Sequence, residues 1–516
     1  MASGTFLERE VKLDSDSSFQ MPDLRGVVAR VVQKPAQELR TAYFDTPDLR
    51  LWGRGVSFRH RLGEERGSGT WTIKLPSQVG SKDGPGATLD RTEMSWSGDR
   101  DVMPPQAISL LRGIVRGAAL SQVTELMTTR RRLVLHDVGE TACVELDDDT
   151  VAVVGGPGHG MRFRQVEVEL GSGGRSILAA VVRQLRKAGA ELSAEPKLAK
   201  ALRCPAGPGP VRARTLKHRD RLRAVVEASI ADALGCLLDH DYRLRADPPD
   251  PPPHSVHQAR VATRRLRSDL KTFRFVLDPV WLDQTRAELK WLGEVFGNVR
   301  DPDVLAGHLS DDGQGDDDGP VHDVGGVELR AQLAIERRTA LGELSTVLSS
   351  RRYFDLLDRL QSAAHRAPFA SALTRDPDGE TRAAEVLPAL VGRQWKVLRR
   401  RVRRAGDSPS DHQLHQIRIG AKQLRYAAEL AEPVMGPKAG RTARAAENLQ
   451  TILGEHHDAV TAEQWLRQVA LRATPMAAFQ AGRLSAEQHR RQRKLRRQWR
   501  SAWNQIDREN VRGWLR

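Results

Sequence analysis

The chain has 516 residues, enough for two or three domains with cores of their own, and no run of about 18 apolar residues that would span a bilayer. Lysine and arginine number 81 against 66 acidic residues, a net charge of +15 with a pI near 10.1, which calls for an anionic partner such as nucleic acid, polyphosphate or a membrane surface. Aromatics, at 5%, are too sparse for a single-strand nucleic-acid binder built on stacking, and Cys143, Cys204 and Cys236 form no CxxC pair, which excludes a disulfide framework. Charge from Glu8 onward argues against a secretory leader, so the expected compartment is the reducing cytoplasm.

The first informative stretch is Glu8-Arg9-Glu10-Val11-Lys12. In a strand, Glu8, Glu10 and Lys12 point to one face. Two carboxylates beside an ammonium suit a hard cation shared with a phosphate; the plain alternative is an exposed edge strand. The same alternation recurs at Arg59 and Arg61, at Thr70, Thr72 and Lys74, and at Arg91 and Glu93. It returns at Arg130 and Arg132, at Glu145 and Asp147, and at Glu167 and Glu169. Helical pieces interrupt at 107–115 and 177–188. Repeated charged pairs with apolar neighbours predict an antiparallel β-barrel with a polar lumen and helices packed outside. Such a lumen would hold a polyanion together with its cations.

This ordered set resembles the CYTH domain, the triphosphate tunnel metalloenzymes. The carrying residues are the ExExK run at Glu8, Glu10 and Lys12, then Tyr43-Phe44-Asp45-Thr46, Arg59 with Arg61, Lys74, and Arg91 with Glu93. An arginine strand, an acidic strand, Glu167 with Glu169, and Lys197 in Glu195-Pro196-Lys197-Leu198 complete the order. The resemblance covers residues 1–203, although the family often has Asp where this chain has Glu145. It implies that Glu8, Glu10, Glu167 and Glu169, helped by Glu145 or Asp147, hold Mg²⁺ or Mn²⁺. It also implies that Arg59, Arg61, Lys74, Arg91, Arg130 and Lys197 hold the phosphates; the register of Arg130-Arg131-Arg132 leaves Arg132 open as the inward residue. Glu8, Glu10 and Lys12 would carry catalysis, Lys12 either as a phosphate contact or as a plain ion-pair partner. Phosphoryl transfer asks a protein chiefly for positioning and charge neutralisation, and arginine can bind two phosphate oxygens at once.

Residues 204–214, rich in Pro and Gly, read as a linker. Beyond it the pattern turns helical, with a helix at 222–238, a proline loop at 247–253 and a Gly/Asp loop at 311–319. An internal repeat organises this half. His257, Arg260, Arg264 and Arg267 are echoed by His415, Arg418, Lys422 and Arg425, both at i, i+3, i+7, i+10, so each set lies along one helix face. Looser echoes follow: Leu292-Gly293 and Asn298-Val299-Arg300-Asp301 against Leu453-Gly454 and His456-His457-Asp458. A charged stripe is usually a solvated face, but stacking like charges twice is unfavourable without a bound polyanion. The pattern resembles the CHAD domain, an all-α domain of two pseudo-repeated helical bundles, over residues 215–510; the resemblance implies binding of inorganic polyphosphate. The histidines lack the neighbours of a zinc site. Basic runs at 393–404 and 490–500 keep a nucleic-acid reading open, although no DNA-binding motif is visible.

The expected fold is therefore α+β: an N-terminal antiparallel β-barrel at 1–203 and a C-terminal all-α domain of two pseudo-repeated bundles at 215–510. The expected activity is metal-dependent hydrolysis of inorganic triphosphate, with polyphosphate as the second partner and polyphosphate granules as a place of association. The alternatives are a hydrolase or cyclase of an organic triphosphate (thiamine triphosphate or ATP) and a non-catalytic polyphosphate scaffold. An organic substrate needs a base-binding surface, and the aromatics near the barrel, Trp52 and Trp71, read as core.

Overall fold

The structure, a computed structural model, describes residues 4–63, 69–76, 89–137, 141–172, 174–193, 195–204, 215–311, 324–370 and 378–515; for residues 4–8, 89–90, 308–311 and 324 it describes the backbone alone. The chain forms two compact units, Met1–Val211 and Arg212–Arg516. The 205–214 part of the predicted linker and the 312–319 part of the predicted Gly/Asp loop lie outside the described residues.

The first unit is built on ten antiparallel strands: β1 (Gly4–Ser15), β2 (Arg30–Gln33), β3 (Gln37–Asp45), β4 (Ser57–Leu62), β5 (Thr70–Pro76), β6 (Leu89–Ser97), β7 (Ser121–His136), β8 (Ala142–Gly155), β9 (Arg162–Leu170) and β10 (Glu191–Ser193). Their order is β10-β1-β6-β5-β4-β3-β7-β8-β9, with β2 on β7. At Glu10, β1 meets Leu89 of β6 on one edge and Glu169 of β9 on the other, so the path returns on itself around a tunnel. Closure removes the open edges that an isolated sheet would expose.

Alternation decides what faces where. Glu10 and Lys12 point inward, while Val11 and Leu13 are buried outside with Val144, Leu146, Val166 and Val168. That apolar outer face is covered by Leu178, Val181 and Leu185 of α2 (Arg175–Lys187). Farther along β7 and β8 the inward face turns apolar. There Leu126, Val151 and Val153 pack with Tyr43 against Leu198 and Leu202 of α3 (Lys197–Leu202), which closes one end of the tunnel. Gly156, at φ 82°, makes the turn out of β8; a Cβ there would stand 2.4 Å from the Val123 carbonyl oxygen. Of the two helices expected in this half, the first is α1 (Pro105–Val115) and the second is α2. The short β2, β10 and α3 carry too few residues for a periodic signal.

The second unit contains α4 (Leu222–Ala246), α5 (Pro253–Thr272), α6 (Pro279–Asp311), α7 (Val324–Leu348), α8 (Arg351–His365), α9 (Ala383–Ala405), α10 (Asp411–Met435), α11 (Pro437–Ala470), α12 (Pro475–Ile506) and α13 (Glu509–Arg512). Pro253 opens α5, where its missing N–H costs nothing, and Ser410 with Gln413 forms a capping box at the start of α10. α5 and α10, the two copies of the basic stripe, pack against one another with a shared core that includes Ala259, Leu266, Ile417 and Leu424. Among the described residues no helix is long and apolar enough to cross a membrane.

One buried carboxylate fixes the turn after β3. Asp45 accepts the backbone N–H of Thr46 at 2.7 Å, of Leu51 at 2.9 Å and of Trp52 at 2.8 Å. Asp45→Ala leaves three buried donors without an acceptor and is expected to destabilise the barrel by about 2–3 kcal/mol. The check is the denaturant midpoint of the barrel transition; an unchanged midpoint contradicts it.

Candidate functional site

The tunnel holds a cavity of about 210 Å³, and the eleven described residues that line it are all charged. Strand register sets them in rows. Glu10, Glu169 and Glu145 stand side by side across β1, β9 and β8. The next row is Lys12, Glu167, Asp147 and Arg132, continuing onto β7, and the third is Asp14, Gln165, Asp149 and Arg130. The facing wall supplies Arg59 and Arg61 from β4, Lys74 from β5 and Glu93 from β6.

Close ion pairs lock these rows. Lys12 Nζ lies 2.7 Å from Glu10 Oε2 and 2.6 Å from Glu167 Oε1. Lys197, at the start of α3, reaches Glu167 at 2.7 Å and Asp149 at 2.8 Å. Arg130 forks onto both Asp149 oxygens at 2.8 and 2.6 Å, and Arg132 onto those of Asp147 at 2.7 and 2.9 Å. Lys74 meets Glu93 at 3.0 Å. Burial alone would raise the Glu10 and Glu167 carboxyls. The Lys12 charge, with Lys74 at Glu10 and with Lys197 and Arg130 at Glu167, outweighs it and holds both below the usual range, Glu167 well below. Lys12 moves the opposite way: burial pulls its ammonium down, and Glu167 and Glu10 more than reverse that.

The structure places the predicted residues unevenly. Arg130 and Arg132 both face the lumen while Arg131 is exposed, because i and i+2 share a face. Arg59, Arg61, Lys74, Glu145, Asp147, Glu167 and Glu169 all line the cavity. Arg91 is not among the lining residues; Glu93, two positions on, is. Lys12 and Lys197 are buried within the ion network and are likewise absent from the lining. The Glu8 side chain lies outside the described residues. Sequence reasoning missed Asp149, a fully buried acceptor for Arg130 and Lys197. Its signal was the run Asp147-Asp148-Asp149, in which alternation turns the outer two inward; Asp148 pairs with Arg164 at 2.7 Å instead.

The donor set suits a divalent cation in chemistry. Glu10, Glu145, Asp147, Glu167 and Glu169 are hard oxygen ligands around one cavity. Among the described residues no three acidic, histidine or cysteine side chains gather as a closed cage. Mg²⁺ is commonly held by one or two carboxylates together with substrate phosphates, so an all-protein cage is not required.

A second cavity, about 320 Å³, lies where the two repeat copies meet. It is lined by His257, Arg260 and Arg264 of α5, Arg418 and Lys422 of α10, Arg300 and Asp301 of α6, and His457 and Asp458 of α11. His415 sits beside it, its ring centroid 4.3 Å from that of His457. Arg267 and Arg425 are not in the lining; Arg425 turns to Glu429 at 2.6 Å and Glu447 at 2.9 Å. Arg300, Asp301, His457 and Asp458 were visible only as the looser echo after each stripe. The glycine beside Arg418 is the echoed Gly454, whereas the one beside Arg260 is Gly297 and not Gly293. A Cβ at Gly297 would stand 3.5 Å from the Arg260 guanidinium, and one at Gly454 would stand 3.6 Å from that of Arg418, so each glycine lies within ordinary contact distance of an arginine. In the further basic runs, Arg401 of α9 donates to the Gln416 carbonyl at 2.8 Å and Arg496 of α12 to that of Pro409 at 2.6 Å, so these side chains tie helices together.

Charge here is stacked, not balanced. Lys422 is pushed down to about 6, first by burial and then by Arg264, Arg418, Arg267 and Arg260. Burial and Arg418 bring His457 to about 4. Arg418 is also lowered by burial, against the pull of Asp458. An anion entering the cavity would relieve all three.

A closed antiparallel tunnel with a charged lumen, joined to a twice-repeated helical unit with a basic cavity, defines a two-domain protein of the triphosphate-handling class. Residues 7–201 match the CYTH domain and residues 228–467 the CHAD domain, and the chain belongs to the family in which the first precedes the second. CYTH domains are triphosphatases and cyclases that depend on a divalent metal. The chain is 30% identical over 500 residues to the uncharacterized protein Rv2226 of Mycobacterium tuberculosis, covering 90% of this chain and 89% of that one. Among solved structures it is similar to the CHAD domain of the plant Ricinus communis, with 26% identity, 60% of this chain and 96% of that one covered and a TM-score of 0.40. PptA of Streptomyces chartreusis is 22% identical, with 55% of this chain and 100% of that one covered and a TM-score of 0.42.

The ion network makes an acid-stability prediction. Glu167 is held well below its ordinary 4.5, so the stability its charge contributes is whole above about pH 4.5 and is lost as the pH falls toward its lowered folded value. Glu167→Gln removes that contribution. The gap in urea midpoint between wild type and variant should be wide at pH 7 and close toward pH 3; a gap independent of pH contradicts the assignment.

Proposed function

We propose that the barrel hydrolyses inorganic triphosphate to phosphate and pyrophosphate with Mg²⁺ or Mn²⁺, and that the helical unit binds inorganic polyphosphate. The observation that carries the first half is a lumen whose described lining is charged throughout, with no aromatic in it. Among these described residues a nucleoside or thiazole ring would find nothing to stack on. Trp52 and Trp71 are buried, and Trp71 stacks on Phe58 at 4.8 Å and donates to the Asp99 carbonyl at 3.0 Å.

In this reading Arg59, Arg61 and Lys74 on one wall and Arg130 and Arg132 on the other hold the phosphate oxygens. Glu10, Glu169 and Glu145 hold the metal, with Asp147 and Glu167 beside them and Glu8 as a further proposed ligand. Bound there, the metal supplies charge neutralisation and a water of lowered pKa. Lys12 acts by fixing Glu10 and Glu167 as anions, and Lys197 by fixing Glu167 and Asp149. Arg91, which does not line the cavity, is proposed only as an additional phosphate contact. In the helical unit, His257, Arg260, Arg264, Arg418 and Lys422 meet the polyphosphate, with His415, Arg267 and Arg425 flanking them.

Three measurements test this. Glu10→Gln keeps side-chain size and removes one hard ligand, so phosphate release from triphosphate should fall at least 100-fold at saturating Mg²⁺ or Mn²⁺, on the scale of lost metal ligation and charge stabilisation. Undiminished turnover overturns the site, and a wild type inactive on triphosphate, ATP and thiamine triphosphate leaves a polyphosphate scaffold. Arg264→Glu with Lys422→Glu should nearly eliminate retention of long polyphosphate at physiological salt. Equal displacement by duplex DNA and indifference to the double reversal would instead describe a general polyanion surface.

Lys422 adds a pH signature. Its free value of about 6 leaves it mostly neutral at pH 8, and a bound phosphate favours its charged form. Binding at pH 8 should therefore take up protons, read as a dependence of calorimetric heat on buffer ionisation enthalpy, and affinity should weaken as pH rises above about 6. Lys422→Met should remove the buffer dependence; its persistence contradicts the role.

A further inference from the structure

Beside the basic cavity, on the other flank of α5, the helical unit holds an opening of about 310 Å³ bounded by α4, α5 and α10. Its walls are largely aliphatic, including Val225, Ala228, Ala262 and Leu430, and its charged residues are Asp232, Asp269, Glu429 and Arg265. Asp269 is only 3% exposed. One of its oxygens accepts the Ser229 hydroxyl at 3.0 Å, while Oδ1 has no hydrogen-bond partner. Glu429 differs: Arg425 holds it at 2.6 Å and Arg265 at 3.2 Å. A buried carboxyl oxygen without a donor is costly, and native structures rarely leave one so unless something else supplies the donor.

The walls narrow the choice of donor. Three carboxylates against one guanidinium repel an anion. Among the described residues Asp232, Asp269 and Glu429 do not gather as a metal cage, and an opening that repels anions offers no phosphate oxygens to complete one. An aliphatic lining with a carboxyl among it matches a molecule with an apolar body and a cationic head. We propose that this cavity binds a small aliphatic ammonium ion whose head pairs with Asp269 and whose hydrocarbon body lies against α4 and α10. The net charge of +15 opposes loose accumulation of amines on the chain, so binding here would be the work of the built site.

Titration of Asp269 agrees with that geometry. Burial raises it to about 7, with Glu429 and Asp232 adding and with Arg265 and the Ser229 hydroxyl opposing. An ammonium ion pairs with the ionised form, so its affinity should rise roughly tenfold from pH 6 to pH 8.

The probe is n-butylammonium, titrated into the full chain by calorimetry, with butyrate and n-butanol as matched controls. Saturable binding of butylammonium, stronger at pH 8 than at pH 6 and weakened at least tenfold in Asp269→Asn, is the expected result. Absence of saturable binding at pH 8, equal binding by Asp269→Asn, or equal binding of butanol would overturn it. If Asp269→Asn fails to fold by circular dichroism, Ala228→Leu, which fills the cavity without touching the carboxyl, must abolish the same binding; retained binding there also overturns the proposal.

Discussion

A charge buried in protein stays charged only where an opposite charge is held against it. The barrel is built around that requirement. Lys12, 5% exposed, keeps its ammonium because Glu10 and Glu167 stand at hydrogen-bond distance, and those carboxylates stay ionised because Lys12 stands between them. Removing one partner would leave an uncompensated charge, so Lys12, Lys197 and Arg130 depend on each other through Glu167 and Asp149. Strand alternation makes this affordable, because it sends Val11 and Leu13 outward to the apolar core under α2 in the same stretch that sends Glu10 and Lys12 inward. The lumen is thus preorganised: its guanidinium and carboxylate groups are fixed before any ligand arrives, which is the condition for electrostatic catalysis.

The helical cavity obeys the same rule from the other side. Its cations face one another with few carboxylates among them, and the folded state responds by lowering Lys422, Arg418 and His257. Asp301, 2.6 Å from Arg260, offsets part of that field. A site whose own charges are strained gains more from an anion than a balanced one, since binding replaces repulsion by attraction at every cation. In the proposed function the barrel would select by fixed geometry and the helical unit by strained charge.

How much of this was legible follows from periodicity. The inward faces of β4, β7, β8 and β9 were readable because charge alternates with apolar residues at a period of two, and the stripes of α5 and α10 because their spacing matches a helix face. Alternation also settles Arg130 and Arg132, which share a face by parity. Arg91 shares the strand face of Glu93 by parity but does not line the cavity, because alternation gives the face and not the depth along the tunnel. α3, six residues long, has no period to detect, yet it plugs the tunnel and seats Lys197. Arg425 kept the stripe spacing but lost its place in the cavity to two acids, Glu429 and Glu447, one on its own helix and one on the next. Asp269 was invisible, because a lone aspartate on a helix says nothing about which neighbours bury it.

The row Glu10, Glu169 and Glu145 shows why metal and triphosphate should depend on each other in the proposed reaction. Like charges directly opposite across strands are destabilising, and here three carboxylates are neighbours on adjacent strands. A phosphate approaching that row alone meets repulsion from β1, β9 and β8, whatever Arg59 and Arg61 offer from the facing wall. A divalent cation alone finds oxygens of the right hardness but no closed cage among the described residues. Each supplies what the other lacks: the cation cancels the carboxylate field, and the phosphate oxygens complete the cation's coordination. Substrate binding in the lumen should therefore be cooperative with metal, and the wall cations alone should not suffice to hold triphosphate.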